Sequence, residues 1–192
     1  MAYKHSDATP WTQKTRNTVS TNFFGTMIVC EALAPLLKTG GRMVTVASGS
    51  GHLRILRSED LRREFAGADS ALTVPRLSEL MRQFVTDVEA GTPPTVSAPL
   101  PGALHERRGW PGHAYGMSKL AQIALAKIYA RELSARGIAS CACDPGGCRT
   151  DMSSHSGSRT AAQGADTPAW LAFQPPSEIT GRLFFDRAEV GW

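Results

Sequence analysis

Two apolar runs separated by a long helical pattern constrain the fold of this chain more than any other feature. The sequences RMVTVAS, from position 42, and IASCACD, from position 138, are short and largely apolar, and they predict buried strands. Between them a helical pattern runs from about Gly112 to Arg136, with Gly137 as its stop. Alternating strands and helices are typical of a parallel sheet with helices on its faces, which predicts an α/β fold.

The rest of the sequence divides around this framework. Helical spacing covers positions 11–37, and Gly40 and Gly41 are predicted to end that helix. Positions 52–110 contain two predicted surface helices, SEDLRREF and VPRLSELMRQFVTDVEAG, followed by the proline-rich loop TPPTVSAPLPG. We therefore expect one domain over residues 1–192, with residues 52–110 as an insertion within it. A short helix at PAWLAFQ and a strand at GRLFFD are predicted near the end.

Composition excludes several classes of protein. With 192 residues, 42% of them hydrophobic and 20% charged, the sequence is that of one globular domain. It has no apolar run of membrane-spanning length and no signal peptide pattern, so we expect a cytoplasmic protein without a membrane partner. The formal net charge is +4, but the basic residues are dispersed and no nucleic-acid motif is present, so no nucleic-acid partner is expected.

The cysteines do not predict a metal site. Cys141, Cys143 and Cys148 lack the paired C-x-x-C spacing of structural zinc sites, and the first two lie in a predicted buried strand. They are interpreted as small buried hydrophobic residues, so no metal is expected.

Candidate functional residues lie where the predicted strands end. Open parallel sheets bind ligands beyond the carboxyl ends of their strands, which here are marked by Ser48 and by the turn Pro145-Gly146. Tyr115 and Lys119 are four residues apart, so they share one face at the start of the long helix. Taken alone, this pair favours ordinary helix surface over a catalytic pair, because same-face pairs of this kind are common on helices.

Four motifs in order give these residues a context. NFFGT, RMVTVASGSG, AYGMSK and CDPGGCRTDM occur as they do in the short-chain dehydrogenase/reductases, and the chain most resembles the carbonyl reductases of that family. The resemblance covers essentially the whole sequence. It implies the C-terminal part of a Rossmann-like, doubly wound parallel sheet with a helical insertion.

The resemblance also implies roles for individual residues. Asn22 would hold a water on a proton relay, and Ser48 (with Ser50 as the fallback) would hydrogen-bond the substrate carbonyl. Tyr115 would donate a proton to the developing alkoxide, while Lys119 would lower the tyrosine pKa and bind the nicotinamide ribose. Each residue also has a purely structural alternative. Asn22 could bond a neighbouring backbone group within its helix, and Ser48 could bond the backbone of its loop. Tyr115 and Lys119 could be ordinary residues of the helix surface.

The implied cofactor is NADPH and the implied substrate a small carbonyl compound. Besides Asn22, Tyr115 and Lys119, the residues expected to bind the cofactor lie in the turn after the second strand: Pro145, Gly146, Cys148, Arg149 and Thr150. Gly147 stands where carbonyl reductases carry a large residue, which predicts a more open cavity.

The family's glycine-rich N-terminal half has no counterpart in this sequence. No G-x-x-x-G-x-G follows a first strand, and MAYKHSDATPW resembles the segment that follows N-N-A-G in the family. We therefore expect that Met1 is internal to a longer parent protein, and that this chain alone is poorly stable and binds NADPH weakly or not at all. The parent is expected to be a monomer. The alternative is a catalytically inactive fragment with a binding or regulatory role.

Overall fold

The predicted alternation of strands and helices forms a four-stranded sheet covered by helices. The structure is a computed structural model that describes residues 8–192, so the expectation for Met1 and its neighbours lies outside the described residues. The helices are α1 (Trp11–Val19), α2 (Gly25–Leu33), α3 (Glu59–Ala66), α4 (Val74–Gly91), α5 (Leu104–Arg107), α6 (Ala114–Glu132), α7 (Ala161–Leu171) and α8 (Pro176–Ile179); the strands are β1 (Arg42–Val46), β2 (Ala139–Asp144), β3 (Leu183–Phe185) and β4 (Ala188–Val190).

The strand order is β1-β2-β3-β4, with the first three strands parallel. Val46 is paired with Cys143, so β1 and β2 end side by side. The antiparallel strand β4 was not predicted. It returns through a two-residue turn in which Asp186 and Arg187 both have positive φ, the geometry that suits a tight hairpin.

The N-terminal helical segment is continuous but irregular. A π-helical turn, Ser20–Phe24, joins α1 to α2, and a short 3₁₀ turn at Ala34–Leu36 ends the segment before the predicted Gly40. Among the described residues, Trp11–Leu36 is the one helix long and apolar enough to span a membrane by length and composition alone. This is weak evidence for a membrane span, because core helices of globular proteins pass the same test, and α1 packs against α4 and α6.

The predicted helices of the 52–110 segment form as α3 and α4, and they contribute to the main core. Phe65, Leu77 and Phe84 are completely buried in the same apolar cluster as Leu120 of α6. The segment also buries a carboxylate, Asp87, which accepts hydrogen bonds from three side chains. These helices are therefore surface elements with one deeply buried face.

One edge of the sheet is open among residues 8–192. Strand β1 pairs with β2 on one side only, and a groove of about 370 Å³ lies between β1 and α2. The adjoining helical face carries exposed apolar side chains: Ile28, Val29, Leu33 and Leu36. The open edge of the sheet is thus accompanied by an uncovered helix face.

Candidate active site

The first turns of α6 present Tyr115 and Lys119 side by side. His113 caps the helix, and its Nδ1 accepts a hydrogen bond from the backbone N–H of Gly116 at 3.1 Å. One turn later, Lys119 Nζ lies 5.5 Å from the centre of the Tyr115 ring and donates to the carbonyl oxygen of Val46 at 3.2 Å. The lysine therefore joins the helix to the end of β1.

The loop after β1 is held tightly against α6. A Cβ atom added to Gly51 would lie 2.6 Å from the backbone of Leu120, and one added to Gly116 would lie 2.8 Å from the carbonyl oxygen of Ser50. Such distances are too short for any side chain without movement of the backbone. The glycines thus allow the close approach that places Ser48 on the same cavity as Tyr115.

A cavity of about 580 Å³ opens at the carboxyl ends of β1 and β2. Seven of the nine predicted site residues line it: Ser48, Tyr115, Lys119, Pro145, Gly146, Cys148 and Thr150. Its other lining residues are Val46, Ala47, Gly49, Ser50, Asp144, Gly147, Met152 and Ser153. The cavity therefore coincides with the crevice that the strand ends predicted.

Asn22 is not among the lining residues of this cavity. It lies in the π-helical turn, where its side-chain amide donates to the Ser118 hydroxyl at 3.0 Å. Its backbone carbonyl accepts from Gln122 Nε2 and from the Thr26 hydroxyl, each at 2.7 Å. In the structure, Asn22 therefore connects the N-terminal helix to α6 immediately behind Tyr115.

The turn after β2 brings backbone atoms to the cavity. Gly146 has a φ of +72°, a conformation that glycine adopts without strain. No atom lies within 4 Å of a Cβ added to Gly147, so this wall is open, in agreement with the sequence-based expectation. Arg149 is exposed and does not line the cavity; its backbone N–H donates to the Arg159 carbonyl.

Asp144 is a lining residue that sequence analysis did not select. It and Lys119 are the two charged side chains among the described residues of the cavity wall. Burial lowers the pKa of Lys119 below its usual value, and the negative charge of Asp144 opposes this shift. The signal was present in the sequence, because an acidic residue directly precedes the Pro145-Gly146 turn, but the motif drew attention to the turn itself.

The cysteines are free thiols, and Cys141 and Cys143 are buried as expected. Burial raises the pKa of the Cys143 thiol to about 12, so it stays neutral next to the cavity. Within residues 8–192, no group of three or more histidine, cysteine or acidic side chains is placed to hold a metal ion.

Comparisons with known proteins give the relatives of this chain. No family model matches the chain. It is 40% identical to carbonyl reductase [NADPH] 3 of Rattus norvegicus, over 100% of this chain and 67% of that protein. Carbonyl reductase [NADPH] 1 of Homo sapiens is 37% identical, over 92% of this chain and 60% of that protein. The chain therefore spans about two thirds of the length of these relatives.

Two solved structures contain the same fold over about half of their length. Salutaridine reductase from Papaver somniferum superposes with a TM-score of 0.76 and 26% identity, over 91% of this chain and 55% of that one. Menthone neomenthol reductase from Mentha piperita gives a TM-score of 0.69, also at 26% identity, over 91% of this chain and 51% of that one. From its sequence relatives, its fold and its cavity, the chain belongs to the short-chain dehydrogenase/reductase family, among the carbonyl reductases.

Proposed function

We propose that this chain carries the substrate-facing part of an NADPH-dependent reductase that converts ketones, aldehydes or quinones to alcohols. The observation that carries the proposal is the shared cavity of Ser48, Tyr115 and Lys119 at the ends of two parallel strands. These three side chains are a hydroxyl donor, a phenol and a cation, the set needed to polarise and protonate a carbonyl oxygen.

Tyr115 is the proposed proton donor. As negative charge develops on the substrate oxygen, its phenolic hydroxyl transfers a proton and completes the alcohol. Ser48 stabilises the same oxygen by a hydrogen bond. Its Oγ accepts from the Ser50 backbone N–H at 3.2 Å, which leaves the hydroxyl proton available to donate.

Lys119 supplies the positive charge beside the tyrosine. Its ammonium lies 5.5 Å from the Tyr115 ring centre and donates a hydrogen bond to the Val46 carbonyl. A cation at this position stabilises the phenolate that remains after proton transfer. Asn22, which bonds Ser118 behind the tyrosine, is proposed to support the relay that returns the proton.

The residues present fit one end of NADPH. The cavity of about 580 Å³, with its open wall at Gly147 and its backbone turn at Pro145-Gly146, has room for a nicotinamide and its ribose. When bound there, NADPH supplies the hydride for the carbonyl carbon. Thr150 and the backbone of Cys148 would contact this end of the cofactor, and Arg149 its phosphates. The sequence has no glycine-rich motif to hold the pyrophosphate.

The second candidate function is a non-catalytic fragment. The exposed apolar face of α2 and the open edge of β1 favour it, because a chain with such surfaces is prone to aggregate when it is expressed alone. Residues 52–110, which pack over α1 and α6, remain a proposed insertion, and a monomeric state of the parent remains a proposal as well.

One assay separates the two candidates. NADPH oxidation with menadione is measured for the wild type, for Tyr115→Phe and for the control Tyr129→Phe, a buried tyrosine on the same helix. Reductase function predicts a loss of about 100-fold or more in Tyr115→Phe, with activity kept in Tyr129→Phe. Activity that survives in Tyr115→Phe contradicts the proposed proton donor, and inactivity of all three proteins supports the fragment.

A further inference from the structure

Arg159 lies where the loop after β2 folds back on its own start. Its backbone N–H donates to the Gly147 carbonyl at 3.0 Å, and its carbonyl accepts from the Arg149 N–H at 2.8 Å. These two bonds form a parallel bridge between Arg159 and Cys148, a residue that lines the cavity. The backbone of Arg159 therefore holds the chain on both sides of Cys148.

The side chain of Arg159 packs against the same part of the loop. A Cβ added to Gly146 would lie 2.6 Å from Arg159 Cδ and 3.3 Å from Phe185 Cε2. The guanidinium lies over the Phe185 ring, 5.3 Å from its centre. The Pro145-Gly146 turn, which lines the cavity, therefore packs directly on the arginine side chain.

The guanidinium of Arg159 is held by groups outside this loop. Its Nη1 and Nη2 donate to the two carboxylate oxygens of Asp186 at 3.0 and 2.6 Å, which forms a bidentate ion pair with the β3–β4 turn. Nη2 also donates to the Gln163 carbonyl of α7 at 3.0 Å. Exposed ion pairs usually contribute little, but this pair is bidentate and its arginine side chain is only 22% exposed. The ion pair therefore links the loop to the β3–β4 hairpin.

We propose that Arg159 is a positioning residue, whose ion pair with Asp186 fixes the turn after β2 (residues 145–150) as one side of the cavity. The catalytic consequence, an ordered surface for the nicotinamide end of NADPH, rests on the proposed function. The link between the ion pair and the order of residues 145–150 does not. Loss of the Asp186 charge releases the guanidinium, and these residues then open more often by local unfolding.

A second ion pair of the same hairpin provides the contrast. Arg187, the next residue of the β3–β4 turn, donates from Nε to Asp166 of α7 at 2.7 Å, and its backbone N–H donates to the Thr167 hydroxyl. These bonds tie the hairpin to α7 and not to residues 145–150. If both pairs only stabilise the hairpin, loss of either carboxylate has the same consequences. The proposed role predicts that only the loss of the Asp186 charge changes the order of residues 145–150.

Cys148 provides a local measure of that order. Its thiol lies 3.5 Å from the Pro145 carbonyl oxygen and 3.6 Å from that of Gly146, and it is half-buried. The other three cysteines are buried, and burial raises their thiol pKa values, so they react slowly. The rate at which iodoacetamide alkylates Cys148 in the folded chain, followed by mass spectrometry of its peptide, therefore reports how often this turn opens.

The test compares alkylation of Cys148 in the wild type, in Asp186→Asn and in the control Asp166→Asn. Position 186 has a φ of +50°, which asparagine tolerates, so the first substitution removes the charge and keeps the hairpin turn. Asp186→Asn should raise the alkylation rate about fivefold, the effect of an ion pair at the upper end of the range for exposed pairs. Asp166→Asn removes an equal charge from the other ion pair and should leave the rate unchanged.

An alkylation rate in folded Asp186→Asn that equals the wild-type rate overturns the proposal, as does an equal increase in Asp166→Asn. Wild-type Cys148 that reacts as fast as an unstructured cysteine peptide also contradicts it, because the turn is then not held. If Asp186→Asn does not fold, Arg159→Lys gives the second measurement. Lysine keeps an aliphatic stem against Gly146 but cannot form the bidentate pair, so a wild-type rate in this variant contradicts the proposal.

Enzyme kinetics separate this proposal from the proposed function. In an active chain, Asp186→Asn should raise KM for NADPH while kcat stays near that of the wild type, a pattern that a general loss of stability does not give. A raised alkylation rate in a chain without reductase activity rejects the proposed function and retains the role of the ion pair. An unchanged alkylation rate in an active chain does the reverse.

Discussion

The side-chain amide of Asn22 donates a hydrogen bond to the hydroxyl of Ser118 at 3.0 Å, across 96 positions of sequence. The same hydroxyl donates to the backbone carbonyl of Tyr115 at 2.8 Å. The π-helical turn of the N-terminal segment is thus connected, through a single serine, to the backbone of the proposed proton donor. π-Helical turns are frequent at functional sites, and this one places the Asn22 amide against the helix that carries the candidate site.

The Asn22–Ser118 bond is expected to stabilise the fold. Asn22→Ala and Ser118→Ala should each lower the free energy of unfolding, and a double-mutant cycle from urea denaturation should give a coupling of about 1 kcal/mol, the net value of a typical hydrogen bond. Asn17→Ala, on the exposed side of α1, is the control and should change stability little. A coupling near zero would show that the bond is not formed in solution.

The cap of α6 is expected to be sensitive to acid. Partial burial lowers the pKa of His113 from its usual 6.5, so the unfolded chain takes up a proton at higher pH than the folded chain. The free energy of unfolding should therefore fall as the pH drops through about 6.5 toward the lower folded-state pKa. Protonation also removes the Nδ1 acceptor that caps Gly116 N–H.

The measurement is urea denaturation at a series of pH values between 7.5 and 5 for the wild type and His113→Asn. Asparagine caps the helix without titrating in this range, so the variant should lose less stability on acidification. The buried His105, whose pKa is also lowered, is present in both proteins and cancels in the comparison. Parallel pH profiles for the two proteins would rule out a role for His113.

The carboxylate of Asp87 is expected to be essential to the packing of α4. It is 1% exposed and accepts hydrogen bonds from Gln83, Arg108 and the indole N–H of Trp110. Asp87→Ala leaves the buried indole donor unsatisfied and should cost about 3 kcal/mol of unfolding free energy.

Asp60→Ala is the control for this change. Its side chain is 88% exposed and pairs with Arg63, so its loss should cost less than about 0.5 kcal/mol in the same denaturation experiment. Similar losses for the two variants would mean that the 52–110 segment does not contribute to the core as the structure describes.

The uncovered face of α2 is expected to cause self-association. Leu33 is 51% exposed beside the open edge of β1, and Leu33→Glu should raise the monomer fraction in sedimentation velocity by placing a charge on this apolar surface. Phe173→Glu removes a more exposed apolar side chain on a different part of the surface and should have little effect. Equal effects of both variants would indicate nonspecific aggregation.

Gly147 is expected to accept a large side chain. Because a Cβ there meets no atom within 4 Å, Gly147→Trp should leave thermal stability nearly unchanged while it narrows the cavity. Bulky carbonyl substrates should then lose turnover more than small ones. The contrasting variant is Gly164→Ala, whose Cβ would lie 2.2 Å from Cys148 Sγ and should lower stability by about 1–3 kcal/mol.

Strong local patterns predicted much of this fold. The predicted strands RMVTV and ASCACD form β1 and β2, and the long helix that begins beside Tyr115 forms α6. The burial predicted for β1 was wrong, because β1 lies at the open edge of the sheet and most of its residues are only half-buried. Ser48 and the Pro145-Gly146 turn directly follow these strands in the sequence. That placement was enough to predict that they would face one cavity. Hydrophobic periodicity and turn residues are local properties of the sequence, so these elements could be predicted without knowledge of the tertiary structure.

The features that were not predicted depend mostly on contacts between residues distant in the sequence. Strand β4 is only three residues long and needs β3 as its template. Helix α7 begins at Ala161, where the capping box of Thr160 and Gln163 starts it earlier than predicted. Asp144 lines the cavity but was not predicted, because the motif pointed to the Pro145-Gly146 turn that directly follows it.

Trp192 is fastened to the loop that carries Ser48, because its indole N–H donates to the Gly51 carbonyl at 3.0 Å. Its ring also lies 5.5 Å from the Lys127 ammonium. The fluorescence of this indole, isolated by comparison with a Trp192→Phe variant, is therefore an intrinsic optical probe of the loop. A compound that enters the cavity and displaces the loop is expected to change the emission spectrum of the unlabelled protein. Ligands can therefore be screened by intrinsic tryptophan fluorescence, without a measurement of turnover.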